Sequence, residues 1–155
     1  MQYYKSVITP IGTVCIVCRK NQITRLVLPQ KPLLQDLVPA ENNLLLCSAA
    51  CQLEEYFARK RTVFELPLAP SGTAFRISVW QQLLKIPYGT TLSYGDVAKL
   101  LGKPGAAQAV GQANRYNPIP IFIPCHRVIN SNGTLGGYDG SNNTLKHFLL
   151  DLEKQ

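Results

Sequence analysis

No apolar run in this 155-residue chain reaches the roughly 18 residues that a membrane span needs. The opening Met1-Gln2-Tyr3-Tyr4-Lys5-Ser6 lacks the apolar core of a secretion signal. A cytoplasmic protein is therefore expected, or a nuclear one in a eukaryotic cell. Cysteines number five, so they cannot all pair within the chain, and with no secretion signal they are expected as reduced thiols. Cys15 and Cys18 form a CxxC, but Thr-Val-Cys-Ile-Val-Cys has no Gly or Pro knuckle; they read as strand residues rather than zinc ligands. Cys47 and Cys51, four apart in an Ala-rich stretch, share a helical face and are expected to pack. Internal repeats and low-complexity tracts are absent. Acidic side chains are scarce, nine against sixteen Lys and Arg, giving a formal charge of +7. That balance favours a polyanionic partner, because each phosphate contact releases counterions.

With 46% hydrophobic and 16% charged residues, the chain can bury a core and form one domain or two small ones. Tyr3 to Ile8, Thr13 to Cys18 and Gln22 to Leu28 are β-rich and separated by turn residues, which predicts a three-stranded antiparallel meander. Residues 29–42, with Pro29, Pro32 and Pro39, read as a connector. From Asn43 a helix is predicted, with Leu46, Ala50, Leu53 and Phe57 as its apolar stripe. It leads into Arg59-Lys60-Arg61, either a carboxyl-terminal cap or a DNA patch. Thr62 to Leu68 alternates like a further strand. Pro70-Ser71-Gly72 breaks the pattern and sets the expected boundary: residues 1–69 an N-terminal α/β domain, residues 70–155 a second domain.

In the second part, Phe75, Val79, Leu83 and Ile86 mark a helix stopped by Pro87-Tyr88-Gly89. Ser93-Tyr94-Gly95-Asp96 has the form of a capping box. It opens a short helix, followed by the turn Gly102 to Gly105 and a second helix from Ala106 to Arg115, which together read as helix-turn-helix. Strand-like Ile119 to Ile123 and Leu135 to Tyr138 suggest a wing. The second helix carries Ala106, Ala107, Ala109, Gly111 and Ala113, so it is thin. Gly111 costs about 1 kcal/mol against alanine and points to close approach of a partner or tight packing on a neighbouring helix. A thin helix fits the minor groove, roughly 6 Å wide, better than one of ordinary girth.

The most distinctive stretch runs from Asn117 to Tyr138. Pro118, Pro120 and Pro124 fix φ and remove donors, so a rigid extended segment is expected, ending in a cysteine flanked by proline and histidine. Pro124-Cys125-His126-Arg127-Val128 after Asn117-Pro118 resembles the active-site motif of the O6-alkylguanine-DNA alkyltransferases, and the resemblance covers most of residues 66–153. It implies an α+β protein: a small N-terminal antiparallel-sheet domain and a C-terminal winged helix-turn-helix domain that binds DNA and carries the chemistry. The implied activity is direct DNA repair, moving an alkyl group irreversibly from O6-alkylguanine, and from O4-alkylthymine, to Cys125. A thioether is not cleaved by water, so each molecule would act once. The implied partner is double-stranded DNA containing alkylated guanine, met by a monomer away from any membrane. No cofactor is expected. Some family members hold an amino-terminal zinc, and no ligand set for it is found here.

On the same resemblance, His126 activates Cys125, whose free thiol would titrate at about 8.5. Neighbours on an extended chain face opposite ways, so contact between them needs a turn or a bridging water. Glu153 would orient the imidazole. It follows the predicted helical face Leu145, Phe148, Leu149 and Leu152 and matches the end of Lys-x-x-Leu-Leu-x-x-Glu, Lys146 to Glu153; by itself it reads as a surface residue. Tyr94 matches the tyrosine that protonates the departing guanine, and Asn117 the residue that braces the turn into the site. Pro120, Val128, Tyr138 and Asp139 match the pocket for alkyl group and base. Gln108, Ala109, Gln112, Asn114 and Arg115 are the expected DNA contacts, and the base must be rotated out of the duplex. Gln108 stands where the family usually has an arginine, and the loop after Tyr138 is one residue longer than usual. The rival functions are a non-catalytic lesion binder, which would lack the acceptor cysteine, and a winged-helix regulator, which would not need Pro-Cys-His-Arg-Val or the distal Glu.

Overall fold

The structure, a computed structural model, describes residues 1–33, 35–135 and 144–154. The chain divides into two compact units, Met1–Ser71 and Gly72–Gln155.

In the first unit, strands β1 (Gln2–Thr9), β2 (Gly12–Arg19) and β3 (Gln22–Val27) form the antiparallel meander read from the sequence. The β2–β3 turn uses Lys20 and Asn21 at φ of 51° and 63°, a primed turn whose twist suits a hairpin. Register between β2 and β3 shifts at Val17/Cys18, where Thr24 is the extra residue on β3. Part of the expected connector is a fourth strand, β4 (Leu37–Pro39), parallel to β1, giving the order β3-β2-β1-β4. Pro39 is tolerated there because β4 is an edge.

Helix α1 (Leu44–Phe57) starts at Asn43, whose Oδ1 accepts from the Leu46 N–H at 3.0 Å, and packs on β1, β2 and β3. Its buried stripe is Leu46, Ala49, Ala50, Leu53 and Tyr56; Phe57, expected in it, lies at the margin. Cys47 and Cys51 sit on the flank of that stripe. Cys51 is exposed, and the Cys47 thiol donates to the Glu41 carbonyl at 3.2 Å. Arg59 ends the helix at φ 60°, and no basic residue lies in the last turn. The cluster caps the helix through its backbone, the Arg59 N–H donating to the Tyr56 carbonyl at 3.1 Å and the Lys60 N–H to the Glu55 carbonyl at 2.8 Å, while the Arg61 side chain pairs with Glu55 at 2.9 Å. The strand expected at Thr62 to Leu68 is reduced to one bridge, Ile23 to Leu68. Pro67 lacks a donor, and the buried Gln52 amide takes both backbone groups of Glu65, at 2.8 and 3.2 Å.

In the second unit, α2 (Ala74–Leu83), α3 (Tyr94–Leu100) and α4 (Ala107–Arg115) pack on one another. The Trp80 indole N–H donates to the Ala113 carbonyl at 2.8 Å, tying α2 to α4. Ser93 and Asp96 form the predicted capping box at the start of α3, and Gly102, φ 73°, turns the chain towards α4. Residues 119–123 are buried but do not form a strand. The Ile123 N–H returns to the Ile119 carbonyl at 2.9 Å in a compact turn, with Ile121 held at φ 75°. The three prolines leave too few donors for a ladder, and a β-branched residue at positive φ stores strain. Pairing occurs elsewhere, between β5 (Leu92–Ser93) and β6 (Val128–Ile129) in parallel. Of the second expected wing strand, residues 136–138 lie outside the described residues. Helix α5 (Thr144–Leu152) packs on the turn that carries Cys125.

Candidate active site

Cys125 opens a single 3-10 turn, Cys125–Arg127, where an extended run was expected. The Cys125 N–H donates to the Ile123 carbonyl at 2.8 Å and the Arg127 N–H to the Pro124 carbonyl at 3.0 Å. A turn of three residues per revolution separates adjacent side chains by about 120° rather than the near 180° of a strand. The two side chains therefore no longer face opposite ways as they would on an extended chain, although no hydrogen bond joins His126 Nδ1 to the thiol. Asn117 braces the approach, accepting from the Ile119 N–H at 3.0 Å and donating to the Ile123 carbonyl at 2.9 Å. Cys125 is 2% exposed, with its carbonyl held by the Asn114 amide at 3.1 Å.

The next two residues of the turn converge on one carboxylate. His126 Nε2–H donates to Glu153 Oε2 at 2.6 Å, and Arg127 adds Nε to Oε1 at 2.8 Å and Nη2 to Oε2 at 3.0 Å. The Gly89 N–H lies 3.4 Å from Oε1. These donors account for the carboxylate's four lone-pair directions. Arg127 also donates to the Ile86 carbonyl at 2.7 Å, and its guanidinium stacks on Tyr88, 5.7 Å from the ring centre. A donor fixed at Nε2 leaves Nδ1 bare, and Nδ1 is buried with no hydrogen-bond partner among the described residues. Burial pushes the His126 pKa down, outweighing the Glu153 carboxylate that pulls it up. The imidazole is thus neutral near pH 7, with its basic nitrogen open.

Tyr94, the first residue of α3, is half-buried and accepts from Lys146 Nζ at 3.3 Å. Its pKa is raised by burial and then by charge on Cys125, opposed by the Asn114 amide. Lys146 is fully buried, and burial lowers it to about 8 while charge on Cys125 works the other way. Cys125, Tyr94 and Lys146 therefore share one electrostatic environment. On α5 the buried positions are Lys146 and Leu149, followed by Glu153 just past the helix end. The expected apolar face is different: Phe148 is 39% exposed, because the helix turns its two charged ends inward.

Beside Tyr94 a groove of about 760 Å³ runs along α4, lined by Gly95, Ala107, Gln108, Gly111, Gln112 and Arg115. Gln108, Ala109, Gln112 and Arg115 are all exposed on this helix. Asn114, expected among the DNA contacts, is instead 2% exposed and committed to the Cys125 carbonyl. Its position four residues after the buried Val110 puts it on the inner face. Pro120 and Val128 are buried, Val128 within β6, while Tyr138 and Asp139 lie outside the described residues. Sequence reading missed the inward role of Asn114 and the fork of Arg127. It named Lys146 only as a motif letter, although its seven-residue spacing from Glu153 places both on one helical face. Among the described residues no three His, Cys, Asp or Glu side chains are grouped to hold a metal ion.

Comparison with known proteins bears on both units. Residues 74–155 match the family model described as 6-O-methylguanine DNA methyltransferase, DNA binding domain, and residues 2–70 match its ribonuclease-like domain. The chain is 46% identical over 160 residues to the constitutive methylated-DNA–protein-cysteine methyltransferase of Bacillus subtilis strain 168, covering 99% of this chain and 96% of that one. It is also 46% identical over 156 residues to the methylated-DNA–protein-cysteine methyltransferase of Methanosarcina barkeri strain Fusaro, covering 98% and 97%. Among solved structures, Mycobacterium tuberculosis OGT in complex with DNA superposes with a TM-score of 0.92 at 41% identity, covering 98% of this chain and 92% of that one.

Proposed function

The chain belongs to the 6-O-methylguanine DNA methyltransferase family, and from that premise we propose that it repairs DNA by moving the alkyl group of O6-alkylguanine to Cys125. The observation that carries the assignment of residues is the buried His126–Glu153–Arg127 network built on the same turn as Cys125. His126 Nδ1, which has no hydrogen-bond partner among the described residues, takes the thiol proton through one water. The sulfur then attacks the alkyl carbon, an S–C bond forms, and the C–O6 bond breaks with its electron pair leaving on guanine. Tyr94 gives its phenolic proton to the departing base, so guanine leaves neutral. A thioether has no route back to thiol, so one protein molecule removes one lesion.

Exposed Gln108, Ala109, Gln112 and Arg115 on the thin helix α4 are assigned to the DNA. Gly111 leaves only ordinary contact, 3.9 Å from a notional Cβ to the Tyr94 ring, so Tyr94 reaches the groove that would receive the rotated base. Residues 70–155 hold all of this chemistry. A cytoplasmic location belongs to the same reading, supported by five cysteines without a disulfide. A non-catalytic lesion binder would have no use for a cysteine whose neighbour is a buried, neutral, oriented imidazole.

Intact-mass measurement after incubation with duplex DNA containing O6-methylguanine tests the reading. One methyl group is expected, mapping to Cys125, and Cys125→Ala should bind the same DNA without gaining it. A methyl group on Cys15, Cys18, Cys47 or Cys51 instead would overturn the assignment.

A further inference from the structure

Segment 86–89, which stops α2 and leads into β5, meets the buried network at four points. The Ile86 carbonyl accepts from Arg127 at 2.7 Å, and the Tyr88 ring lies under the same guanidinium, its centre 5.7 Å away. The Tyr88 hydroxyl donates to the Leu152 carbonyl at 3.3 Å, and the Gly89 N–H points to Glu153 Oε1 at 3.4 Å. Gly89 comes this close because it has no side chain: at its φ of 76° a Cβ would stand 3.2 Å from the Glu153 carbonyl oxygen. Leu152 is the last residue of α5, where carbonyls have no intrahelical partner and helix ends fray. Glu153 stands just past it, so the helix alone does not hold its carboxylate against His126. A hydroxyl from another element on the Leu152 carbonyl supplies that anchor. The ring works from the other side, since attraction of a cation to an aromatic face keeps the Arg127 fork on both Glu153 oxygens.

We propose that Tyr88 is a positioning residue for the base: its ring steadies Arg127 and its hydroxyl anchors the end of α5, so that Glu153 meets His126 Nε2 and leaves Nδ1 as the basic nitrogen. The inference rests on the function proposed above and deepens it. The charged and titratable groups around the imidazole are Arg127 on its own turn, Lys146 on α5 and Glu153 past its end, with Cys125 and Tyr94 of α3 beside them. Of these, Tyr88 bears on Arg127 and Glu153. The transfer step keeps the proton balance already given, the thiol proton going to His126 and the Tyr94 proton to guanine. What Tyr88 sets is how often the imidazole stands oriented to receive the first of them.

The test uses full-length protein and follows alkylation of Cys125 by peptide mass across pH, with two electrophiles, free O6-benzylguanine and iodomethane. Tyr88→Leu removes ring and hydroxyl, and Tyr88→Phe removes the hydroxyl alone. In Tyr88→Leu the midpoint of the rate against pH should rise by about one unit with both electrophiles, a loss of about tenfold at neutral pH. With iodomethane, whose leaving group needs no proton, the rate should recover at alkaline pH, where the thiol ionises unaided. Tyr88→Phe should give a smaller rise in the same direction, and it serves if leucine is not accommodated. A role in folding alone would lower the fraction of reactive molecules and leave the midpoint at its wild-type position. An unchanged midpoint in whichever variants fold, or a loss by the same factor at every pH, would overturn the proposal. Failure of wild-type protein to accept benzyl on Cys125, with iodomethane still reporting the midpoint, would instead remove the function it rests on.

Discussion

The two units bury different kinds of side chain. Among the described residues, the N-terminal unit buries one polar side chain, the neutral Gln52, within a core of Val14, Ile16, Ile23, Leu46 and Leu53. The C-terminal unit buries Asn114, His126, Arg127, Lys146 and Glu153. Gln52 is satisfied by the backbone of Glu65 and serves to fix a segment. In the second unit His126, Arg127 and Glu153 bond to one another, Asn114 holds the Cys125 carbonyl and Lys146 the Tyr94 oxygen, while His126 Nδ1 and Asn114 Oδ1 have no hydrogen-bond partner among the described residues. Removing one partner of such a network is severe because the other is left charged and dry. Apolar burial in the first unit costs only shape and area when disturbed. The contrast separates a core selected for packing from one that accepts a stability penalty in order to set protonation states.

Glu153→Gln should produce the largest effect. It keeps the shape but leaves Arg127 without its counter-charge, so about 3 kcal/mol or more of stability should be lost. Alkyl transfer should slow by roughly a hundredfold as His126 loses its orienting anion, while DNA affinity is unchanged. Denaturant titration, single-turnover kinetics and DNA titration would read the three quantities. A variant with wild-type transfer rate would remove Glu153 from the mechanism and erase the contrast.

Ile16→Ala in the N-terminal unit should cost about 2–5 kcal/mol by leaving a cavity, with the transfer rate per folded molecule unchanged. A rate loss exceeding the folded fraction would show that the first unit contributes to the chemistry. The smallest expected effect belongs to the surface. Gln108→Arg adds a cation to the exposed groove face of α4 and should speed transfer from duplex DNA by roughly tenfold, about 1.4 kcal/mol. Transfer from free O6-benzylguanine should not change. An unchanged or slower duplex reaction would assign the wedge to another residue, with Arg115 the nearest exposed cation on that helix.

What could be read from the sequence follows from how local each signal is. The meander, the Asn43 cap, the Ser93–Asp96 box and the α3–α4 pair depend on neighbours within four residues, and all appear where expected. The strand at Thr62 to Leu68 failed because a distant amide, Gln52, claims the backbone of Glu65. The strand at Ile119 to Ile123 failed because three prolines leave it no ladder. Apolar periodicity cannot see either competitor. In the site, Cys125 and His126 were legible as a pair of residue types, but the turn that orients them was not. Asn114 reads as a DNA contact on an exposed helix, and Lys146 only as the first residue of Lys-x-x-Leu-Leu-x-x-Glu. Only packing shows both turned inward.

Glu153 follows His126 by 27 residues, and that interval has a meaning in time. At synthesis rates of roughly 5–20 residues per second, the carboxylate is added about one to five seconds after the imidazole. During that interval the nascent chain carries its thiol without the anchor that fixes the base's tautomer. On the proposed mechanism, a protein that spends itself in one reaction thus carries its reactive group unarmed while it is still being made. Chains broken off between Val128 and Leu152 would keep the cysteine yet leave lesions for intact copies to repair.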